Sequence, residues 1–203
     1  MTPQPPKSQR VRVLMRVRNR LVILAKTPGA GRVKTRLARD IGDSEALRFY
    51  RHQLALTCRT LSHHPGWQTI WARAPEHDSC SVRYCVDKTI GQGRGGLGTR
   101  MQRLFDRVER GPLIIIGADI PGITPAMIMR AFYLLQGHDH VFGPASDGGY
   151  WLVGQRRAPK VLRAFEKVRW SSPHALADTL KNLEGDTIGY VDELNDVDVG
   201  ADL

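Results

Sequence analysis

The sequence has few cysteines and no long apolar run. Its three cysteines form no Cys-x-x-Cys pair and leave one over, which favours the reducing cytoplasm over an oxidising compartment. No stretch approaches the roughly 20 apolar residues that span a bilayer. The N-terminal region also lacks the apolar core of a secretory signal. These absences exclude a membrane-spanning helix and a disulfide scaffold, and we expect a cytoplasmic protein without a membrane partner.

The positive charge is abundant but unevenly distributed. The net charge is +10, yet residues 1–20 hold six basic residues and no acidic one, whereas residues 185–203 hold six acidic residues and no basic one. No RNP-type aromatic motif, zinc-finger spacing or heptad is present, so specific nucleic-acid binding is not expected. We expect residues 1–19 to be a disordered basic leader, with Met15 as a second start site, and residues 20–203 to form one domain.

The remaining chain alternates apolar runs with segments of helical period. Strands are predicted at 21–25, 67–72, 82–86, 112–119, 140–145, 150–154 and 187–191. Helices are predicted from an N-cap at Asp43 or Ser44 to an end around 63–66, and over 97–108, 125–135, 159–168 and 173–184. This alternation predicts an α/β fold, with a mostly parallel twisted sheet covered by helices on both faces.

A glycine loop follows the first predicted strand, in LAKTPGAGRVKTRLARDIG at 24–42. Gly29 and Gly31 allow backbone amides to approach an anion closely, and a helix start supplies further amides. Its positive charges are Arg32, Lys34 and Arg36. The loop therefore favours a polyphosphate ligand. Val33 stands where a Walker A loop has glycine, and the spacing also differs from a dinucleotide fingerprint. An ordinary turn followed by solvated basic residues remains the alternative.

Carboxylates that suit a phosphate-bound metal lie elsewhere in the chain. Asp119 ends the most apolar predicted strand, in GADIPG, and Asp196 and Asp198 face the same way if NDVDV is extended. Carboxylates and phosphates are the ligands of Mg²⁺ or Mn²⁺, so either ion is the expected cofactor. The alternatives are an Asx-type turn at Asp119 and a solvated acidic tail at the other two.

The stretch GPASDGGYWLVG (143–154) is a candidate acceptor site. Asp147, Gly148 and Gly149 form a turn signal followed by Tyr150, and Trp170 in WSSP is a further aromatic candidate. Backbone amides and stacking rings at one sheet edge suit a small second substrate. A plain hairpin turn and a helix cap are the alternatives.

Six motifs in order resemble one bacterial family. AKTPGAGRVKTRLA, GGLGTRM, IGADIPGITP, GPASDGGYWLVG, VRWSSP and NDVDVGADL resemble the GT-A-type radical-SAM/selenodomain-associated transferases, which are similar to 2-phospho-lactate guanylyltransferases. The resemblance covers residues 20–203. It implies the nucleotide-diphospho-sugar transferase fold, a Rossmann-like three-layer sandwich.

The resemblance also implies roles for individual residues. The phosphate loop is matched by Gly29, Gly31, Lys34 and Arg36. Asp119 matches the metal aspartate, and Asp198, together with Asp196, a second metal-side carboxylate. The segment near base and ribose contributes Gln92, Gly95, Gly98 and Arg100, and Gly96 replaces the family's aspartate there.

Three functions are compatible with this pattern. The first is nucleotidyl transfer from a nucleoside triphosphate to a small acceptor that bears a phosphate or hydroxyl, with Lys34, Arg36 and Asp119 as catalytic residues. The second is glycosyl transfer from a nucleotide sugar, and the third is nucleotide binding without catalysis. The basic loop favours the first, because a departing pyrophosphate needs more cationic support than a bound diphosphate. The base, the acceptor and a homodimer are left open by the sequence.

Overall fold

The computed structural model describes residues 18–29, 31–75 and 86–202. Its strands are β1 (Arg20–Lys26), β2 (Gln68–Ala74), β3 (Lys88–Gly91), β4 (Leu113–Gly117), β5 (His140–Pro144), β6 (Tyr150–Gln155) and β7 (Ile188–Tyr190). Its α-helices are α1 (Thr35–Ile41), α2 (Asp43–Leu61), α3 (Leu97–Arg107), α4 (Pro125–Leu134) and α5 (Ala175–Lys181), and a short 3₁₀ helix spans Gly200–Asp202. Within the described ranges, no helix combines the length and apolar character needed to cross a bilayer.

The seven strands form one sheet in the order β3-β2-β1-β4-β6-β5-β7. β6 runs antiparallel to both of its neighbours, and every other neighbouring pair is parallel. Because of this arrangement, β1 and β4 end at the same edge where the β5–β6 turn lies. The segment after β7 continues along that edge, since Leu194 donates a backbone hydrogen bond to Pro144 at 3.2 Å.

Helices cover both faces of the sheet. On β4, Ile114 and Ile116 pack with α2 and α4, whereas Leu113 and Ile115 pack with α3 and α5. A strand buried on both faces needs an apolar residue at every position, as the LIIIG sequence of β4 provides. The predicted three-layer α/β sandwich with a mostly parallel sheet is confirmed.

Several predicted boundaries agree with the structure, and the start of one helix does not. Thr124 caps α4 and accepts a hydrogen bond from the Met127 amide, with Pro125 in the first turn, as predicted. The predicted side-chain cap of α2 at Asp43 or Ser44 was wrong: Gly42 is the N-cap and no side chain caps the helix. Of the strand predicted at 82–86, only Val86 is among the described residues, and β3 lies just beyond it. The predicted leader at 1–19 falls almost entirely outside them.

The predicted helix at 159–168 was also wrong. The segment has the apolar spacing of a helix, and Ala164 is fully buried, but its backbone is held by side-chain amides instead. Gln155 both donates to the Leu162 carbonyl and accepts from the Leu162 amide, at 3.0 and 3.2 Å. Asn182 donates to the carbonyls of Ala164 and Glu166 at 3.0 and 2.8 Å. These bonds satisfy the polar backbone without helical turns.

Candidate active site

The predicted metal-side carboxylates meet at the edge where β1 and β4 end. Asp119 lies two residues beyond β4, and Asp196 and Asp198 lie in the segment that follows β7. One oxygen from each of the three carboxylates lies within 4.8 Å of the others. The sequence separated these residues by nearly eighty positions, and the parallel pairing of β7 with β5 brings them together.

Lys34 lies in the middle of this carboxylate cluster. Its Nζ is 2.7 Å from Asp119 Oδ2, 3.0 Å from Asp198 Oδ1 and 3.8 Å from Asp196 Oδ2. The lysine side chain is only 3% exposed, whereas each carboxylate keeps about a third of its side-chain surface in contact with solvent. A single ammonium group therefore neutralises part of a site that carries three negative charges.

The pKa values of Lys34, Asp196 and Asp198 are shifted by burial and by neighbouring charges. Burial alone would lower the pKa of Lys34, but the charges and hydrogen bonds of Asp119 and Asp198 outweigh it and raise that pKa. Burial next to Asp198 raises the pKa of Asp196 to about 6. Burial acts in the same direction on Asp198, where bonding to Lys34 prevails and lowers the pKa. The cluster is thus one coupled electrostatic unit.

The backbone at Lys34 explains how its side chain reaches inward. Lys34 has φ 47° and ψ 45°, in the left-handed region, and is the N-cap of α1. A non-glycine residue in this region costs about 1–2 kcal/mol, so the surrounding contacts hold it there. Strain of this kind is concentrated at functional sites.

The other residues of the predicted phosphate loop lie on the solvent side of Lys34. Gly31 has φ 67°, a conformation that favours glycine. A Cβ at Gly29 would lie 3.2 Å from the Arg32 side chain. Arg36 is largely exposed, and its guanidinium lies 3.3 Å from Asp198. Arg36 therefore adjoins the carboxylate cluster, and phosphate binding by this loop stays a prediction.

Gln92 and Arg100 connect the second glycine-rich stretch to the sheet. The buried Gln92 amide donates to the carbonyls of Ala25 and Ala72 at 2.9 and 2.7 Å, and its oxygen accepts from Arg100 at 2.8 Å. Burial lowers the pKa of Arg100, and its Nε has no hydrogen-bond partner among the described residues. Gln92 thus bridges two strands and holds Arg100, and its direct contact with a nucleotide stays a prediction.

The glycines of this stretch allow close packing and a tight turn of the backbone. A Cβ at Gly98 would lie 2.9 Å from the Trp170 ring and 3.0 Å from Phe165, so only glycine lets α3 approach them. Gly95 has φ 109° and lies just before α3. The predicted nucleotide and acceptor segments are therefore in direct contact through Gly98 and Trp170.

Asp119 lines two cavities. The first, which we name the basic cavity, has a volume of about 190 Å³, and its polar lining includes Lys26, Lys34, Gln92, Arg100 and Asp119. The second, which we name the aromatic cavity, has a volume of about 350 Å³, and its lining includes Asp119, Asp147, Tyr150, Trp151, Trp170 and Asp196. The basic cavity adjoins the glycine loop and the aromatic cavity adjoins the β5–β6 turn, so the edge offers two neighbouring ligand spaces.

The β5–β6 turn is fixed against the start of α5. A Cβ at Gly148, which has φ 82°, would lie 2.2 Å from the Pro173 carbonyl oxygen. The Gly149 amide donates to Asp147 Oδ1 at 2.8 Å. Asp147 and Gly149 of this turn line the aromatic cavity, whereas Gly148 packs against Pro173.

Aromatic rings continue that wall. The Tyr150 and Trp170 rings meet edge to face, with centroids 6.3 Å apart. Burial raises the pKa of the Tyr150 hydroxyl, which lies 3.3 Å from the Thr179 hydroxyl. Four of the five predicted acceptor residues, at 147–150, thus lie on the β5–β6 turn or at the start of β6. The fifth, Trp170, packs against Tyr150.

Sequence reasoning missed the apolar floor of the aromatic cavity. Leu97 and Met101 on α3 and Leu24 on β1 line this cavity. Their spacing in the sequence predicted only helix and strand packing. No sequence signal distinguishes an apolar residue that faces a cavity from one that faces the core. Tyr50, which lines the basic cavity and donates to the Lys26 carbonyl at 2.9 Å, was likewise expected only as part of the α2 packing face.

Comparison with solved structures identifies the class of fold: the chain has the fold of the nucleotide-diphospho-sugar transferases. A protein from Desulfovibrio desulfuricans G20 that is provisionally named as such a transferase matches with a TM-score of 0.80. The two sequences are 24% identical over 89% of this chain and 82% of the other. The fold implied by the motif resemblance is confirmed.

The chain belongs to the bacterial family DUF2064, described as an uncharacterized protein conserved in bacteria, whose model matches residues 53–172. No curated protein matches the sequence significantly.

Two more distant structural neighbours carry ligands. CMP:2-keto-3-deoxy-manno-octonic acid synthetase, in complex with CTP, matches with a TM-score of 0.53 and 14% identity, over 91% of this chain and 94% of the other. Glucosyl-3-phosphoglycerate synthase from Mycobacterium tuberculosis, in complex with Mn²⁺, UDP and glucosyl-3-phosphoglycerate, matches with a TM-score of 0.53 and 13% identity, over 88% of this chain and 70% of the other. The same fold therefore accommodates a nucleoside triphosphate in one protein and a nucleoside diphosphate in the other.

Proposed function

We propose that this protein is a metal-dependent nucleotidyltransferase, which transfers a nucleoside monophosphate from a nucleoside triphosphate to a small acceptor and releases pyrophosphate. The observation that carries the proposal is the buried Lys34 ammonium group, held by three carboxylates between the two cavities. It is a cation fixed next to the position where a leaving pyrophosphate would develop negative charge.

The donor set at this position fits a divalent cation. Asp119, Asp196 and Asp198 supply only oxygen atoms, which suit the hard ions Mg²⁺ and Mn²⁺. The ammonium of Lys34 already occupies the space between them, so the cluster accommodates positive charge. We propose that these three residues hold the ion together with phosphate oxygens of the donor. The ion, when bound, supplies charge neutralisation at the phosphates.

The chain's own residues then have separate roles. The basic cavity holds the nucleotide, with the loop at Gly29 and Gly31 open to its phosphates. Lys34 exchanges carboxylate contacts for oxygens of the departing pyrophosphate, and Arg36 supports the same charge from the solvent side. Positioning and charge neutralisation are the main requirements of phosphoryl-type transfer. The acceptor approaches from the aromatic cavity, on the opposite side of Asp119.

Glycosyl transfer from a nucleotide sugar is the second candidate. The glucosyl-3-phosphoglycerate synthase structure, with UDP and Mn²⁺ bound, supports it because it has the same fold. The basic loop favours the triphosphate, since a nucleotide sugar leaves behind only a diphosphate.

Product analysis separates the two candidates. The purified protein should be incubated with each nucleoside triphosphate, or with UDP- and GDP-sugars, together with Mg²⁺ and a panel of small alcohols and phosphates, and the phosphorus NMR spectrum recorded. Nucleotidyl transfer predicts pyrophosphate from one triphosphate, absent in the Asp119→Asn variant. Free nucleoside diphosphate from a nucleotide sugar would instead establish the glycosyltransferase. Turnover of neither donor would contradict both.

A further inference from the structure

The aromatic cavity is negatively charged. Three aspartates, Asp119, Asp147 and Asp196, line its space of about 350 Å³, and its lining contains no lysine or arginine among the residues that the structure describes. This volume lies within the range of small-molecule sites, roughly 300–1,000 Å³. A site that binds a phosphate ester normally presents guanidinium or ammonium groups to it, and this lining presents the opposite charge.

Two cations next to residues of the lining are already paired. Lys34 contacts Asp119 and Asp196 from the basic cavity, and its ammonium is shared with Asp198. Arg169, which precedes Trp170, makes a two-pronged ion pair with Asp178, at 2.7 and 2.8 Å. Neither side chain lines the aromatic cavity. A divalent cation and the Lys34 ammonium together would balance the three negative charges of the metal-side carboxylates, so the charge of Asp147 would remain unbalanced at the cavity.

The rest of the lining is apolar and aromatic. Leu97 and Met101 form one side, and the rings of Tyr150 and Trp170 form another. Such surfaces bind the apolar body of a ligand, and ring faces also attract cations. Asp147 uses Oδ1 to accept from the Gly149 amide, which leaves Oδ2 to accept from a hydroxyl or ammonium group. The charged contact on offer is therefore a hydrogen-bond acceptor, and the Ser171 and Ser172 hydroxyls of the lining carry no charge.

We propose that the acceptor is an uncharged or cationic alcohol with an apolar body, and not a phosphate ester. The inference rests on the proposed nucleotidyl transfer and restricts its acceptor. In the reaction, the acceptor oxygen forms a bond to the α-phosphorus of the triphosphate. The bond from that phosphorus to the bridging oxygen breaks, its electron pair leaves with pyrophosphate, and the hydroxyl proton passes to water.

The test uses matched pairs of alcohol and phosphate ester: choline with phosphocholine, and 2-phenylethanol with its phosphate. Binding of each compound to the donor-free protein is measured by saturation-transfer NMR, and pyrophosphate release is measured with each nucleoside triphosphate and Mg²⁺. We expect the alcohol of each pair to bind more tightly and to be the better acceptor. Tighter binding or faster turnover of the phosphate esters would overturn the inference. If the alcohols bind more tightly but no triphosphate releases pyrophosphate, the preference of the cavity for alcohols is supported. The proposed nucleotidyl transfer is then contradicted.

A charge reversal provides a second readout. Asp147 is exposed on its turn, so Asp147→Lys is compatible with folding, and Glu184→Lys makes the same charge change outside the cavity lining. Asp147→Lys should shift the binding ratio of alcohol to ester toward the ester by about fivefold, the size of an exposed charge pair. Glu184→Lys should leave the ratio as in the unmodified protein. Equal shifts in the two variants would contradict a role for Asp147 in the cavity.

Discussion

The basic cavity and the aromatic cavity share one sheet edge and the carboxylate of Asp119, but different interactions build them. On the basic side, buried polar groups are bonded to one another, as in the chain from Arg100 through Gln92 to the β1 and β2 carbonyls. On the aromatic side, rings and glycine turns pack closely, and Gly98 lies directly against Trp170. The strands differ too: the basic cavity is lined by the end of β1, whereas the aromatic cavity is lined mainly by β4 and its antiparallel neighbour β6.

The difference indicates that the two cavities bind different parts of the reaction. Fixed charges and dipoles stabilise a developing negative charge without reorganising, which suits the donor phosphates. A surface of rings and apolar side chains selects a ligand by shape and burial, which suits a variable acceptor. If this division is correct, substitutions on the two sides should affect different measured quantities.

The largest effect is expected on the basic side, from Lys34→Met. Removal of one preorganised cation from the transition state should lower kcat by about 10²–10³-fold, while the Kd of the triphosphate rises much less. The measurement is steady-state kinetics combined with nucleotide titration. Arg36→Met is the matched control, because this exposed guanidinium has a single contact in the cluster, at 3.3 Å from Asp198, and should lose less activity. Equal losses in kcat and nucleotide affinity would contradict the proposed role of Lys34.

The same variant should also change metal binding without nucleotide. Since Lys34 competes for all three carboxylates, Lys34→Met should bind Mn²⁺ more tightly than the unmodified protein, as measured by electron paramagnetic resonance of free Mn²⁺. Weaker binding in the variant would mean that the ammonium group helps to hold the cluster together.

On the aromatic side, Trp170→Leu should act through the acceptor. Trp170 lines the aromatic cavity, and loss of its ring removes a surface whose contact with an apolar or cationic ligand is worth about 0.5–1.5 kcal/mol. We expect the KM of the acceptor to rise about tenfold, with the Kd of the triphosphate unchanged. A parallel loss of triphosphate affinity would show that the two cavities do not act separately.

A smaller effect, on stability, is expected from Gln92→Met. The substitution keeps the side-chain volume but leaves the carbonyls of Ala25 and Ala72, and Arg100, without their partner. Buried groups left unbonded cost about 1–3 kcal/mol, which denaturant unfolding would detect. An unchanged free energy of unfolding would mean that the hydrogen bonds of Gln92 do not stabilise the structure around the basic cavity.

The smallest effect is expected from Tyr150→Phe. It removes one hydroxyl that lies 3.3 Å from Thr179 and keeps the ring, so the free energy of unfolding should fall by less than about 1.5 kcal/mol. Acceptor KM should hardly change in the same kinetic assay. A large rise in KM would place the hydroxyl itself in contact with the acceptor.

The sequence predicted the strand and helix boundaries at this edge well, because the sequence signals for them are local. The apolar run of β4 ends at Asp119, and the Thr124–Pro125 pair starts α4 where expected. β3 was not predicted, because it is a short edge strand that begins with the exposed Lys88 and Thr89. Its residues do not alternate between apolar and polar.

The arrangement within the site could be predicted only in part. Phosphate-loop and acidic residues were expected near one another, but nothing in the sequence shows that Lys34 adopts a left-handed backbone and enters the carboxylate cluster. That contact depends on α1 and on the segment after β7, which are about 160 residues apart. The negative charge of the aromatic cavity likewise arises from three aspartates on three different segments.

In the proposed reaction, Asp119 and a divalent cation together hold a nucleoside triphosphate. Isothermal titration of the unmodified protein and of Asp119→Asn with each triphosphate, in Mg²⁺ and in EDTA, measures this binding. We predict that one triphosphate binds the unmodified protein in Mg²⁺, and that binding is lost in EDTA and strongly weakened in the variant. Binding that is equal in all these conditions, or binding of nucleotide sugars alone, would contradict metal-dependent binding of a triphosphate at Asp119.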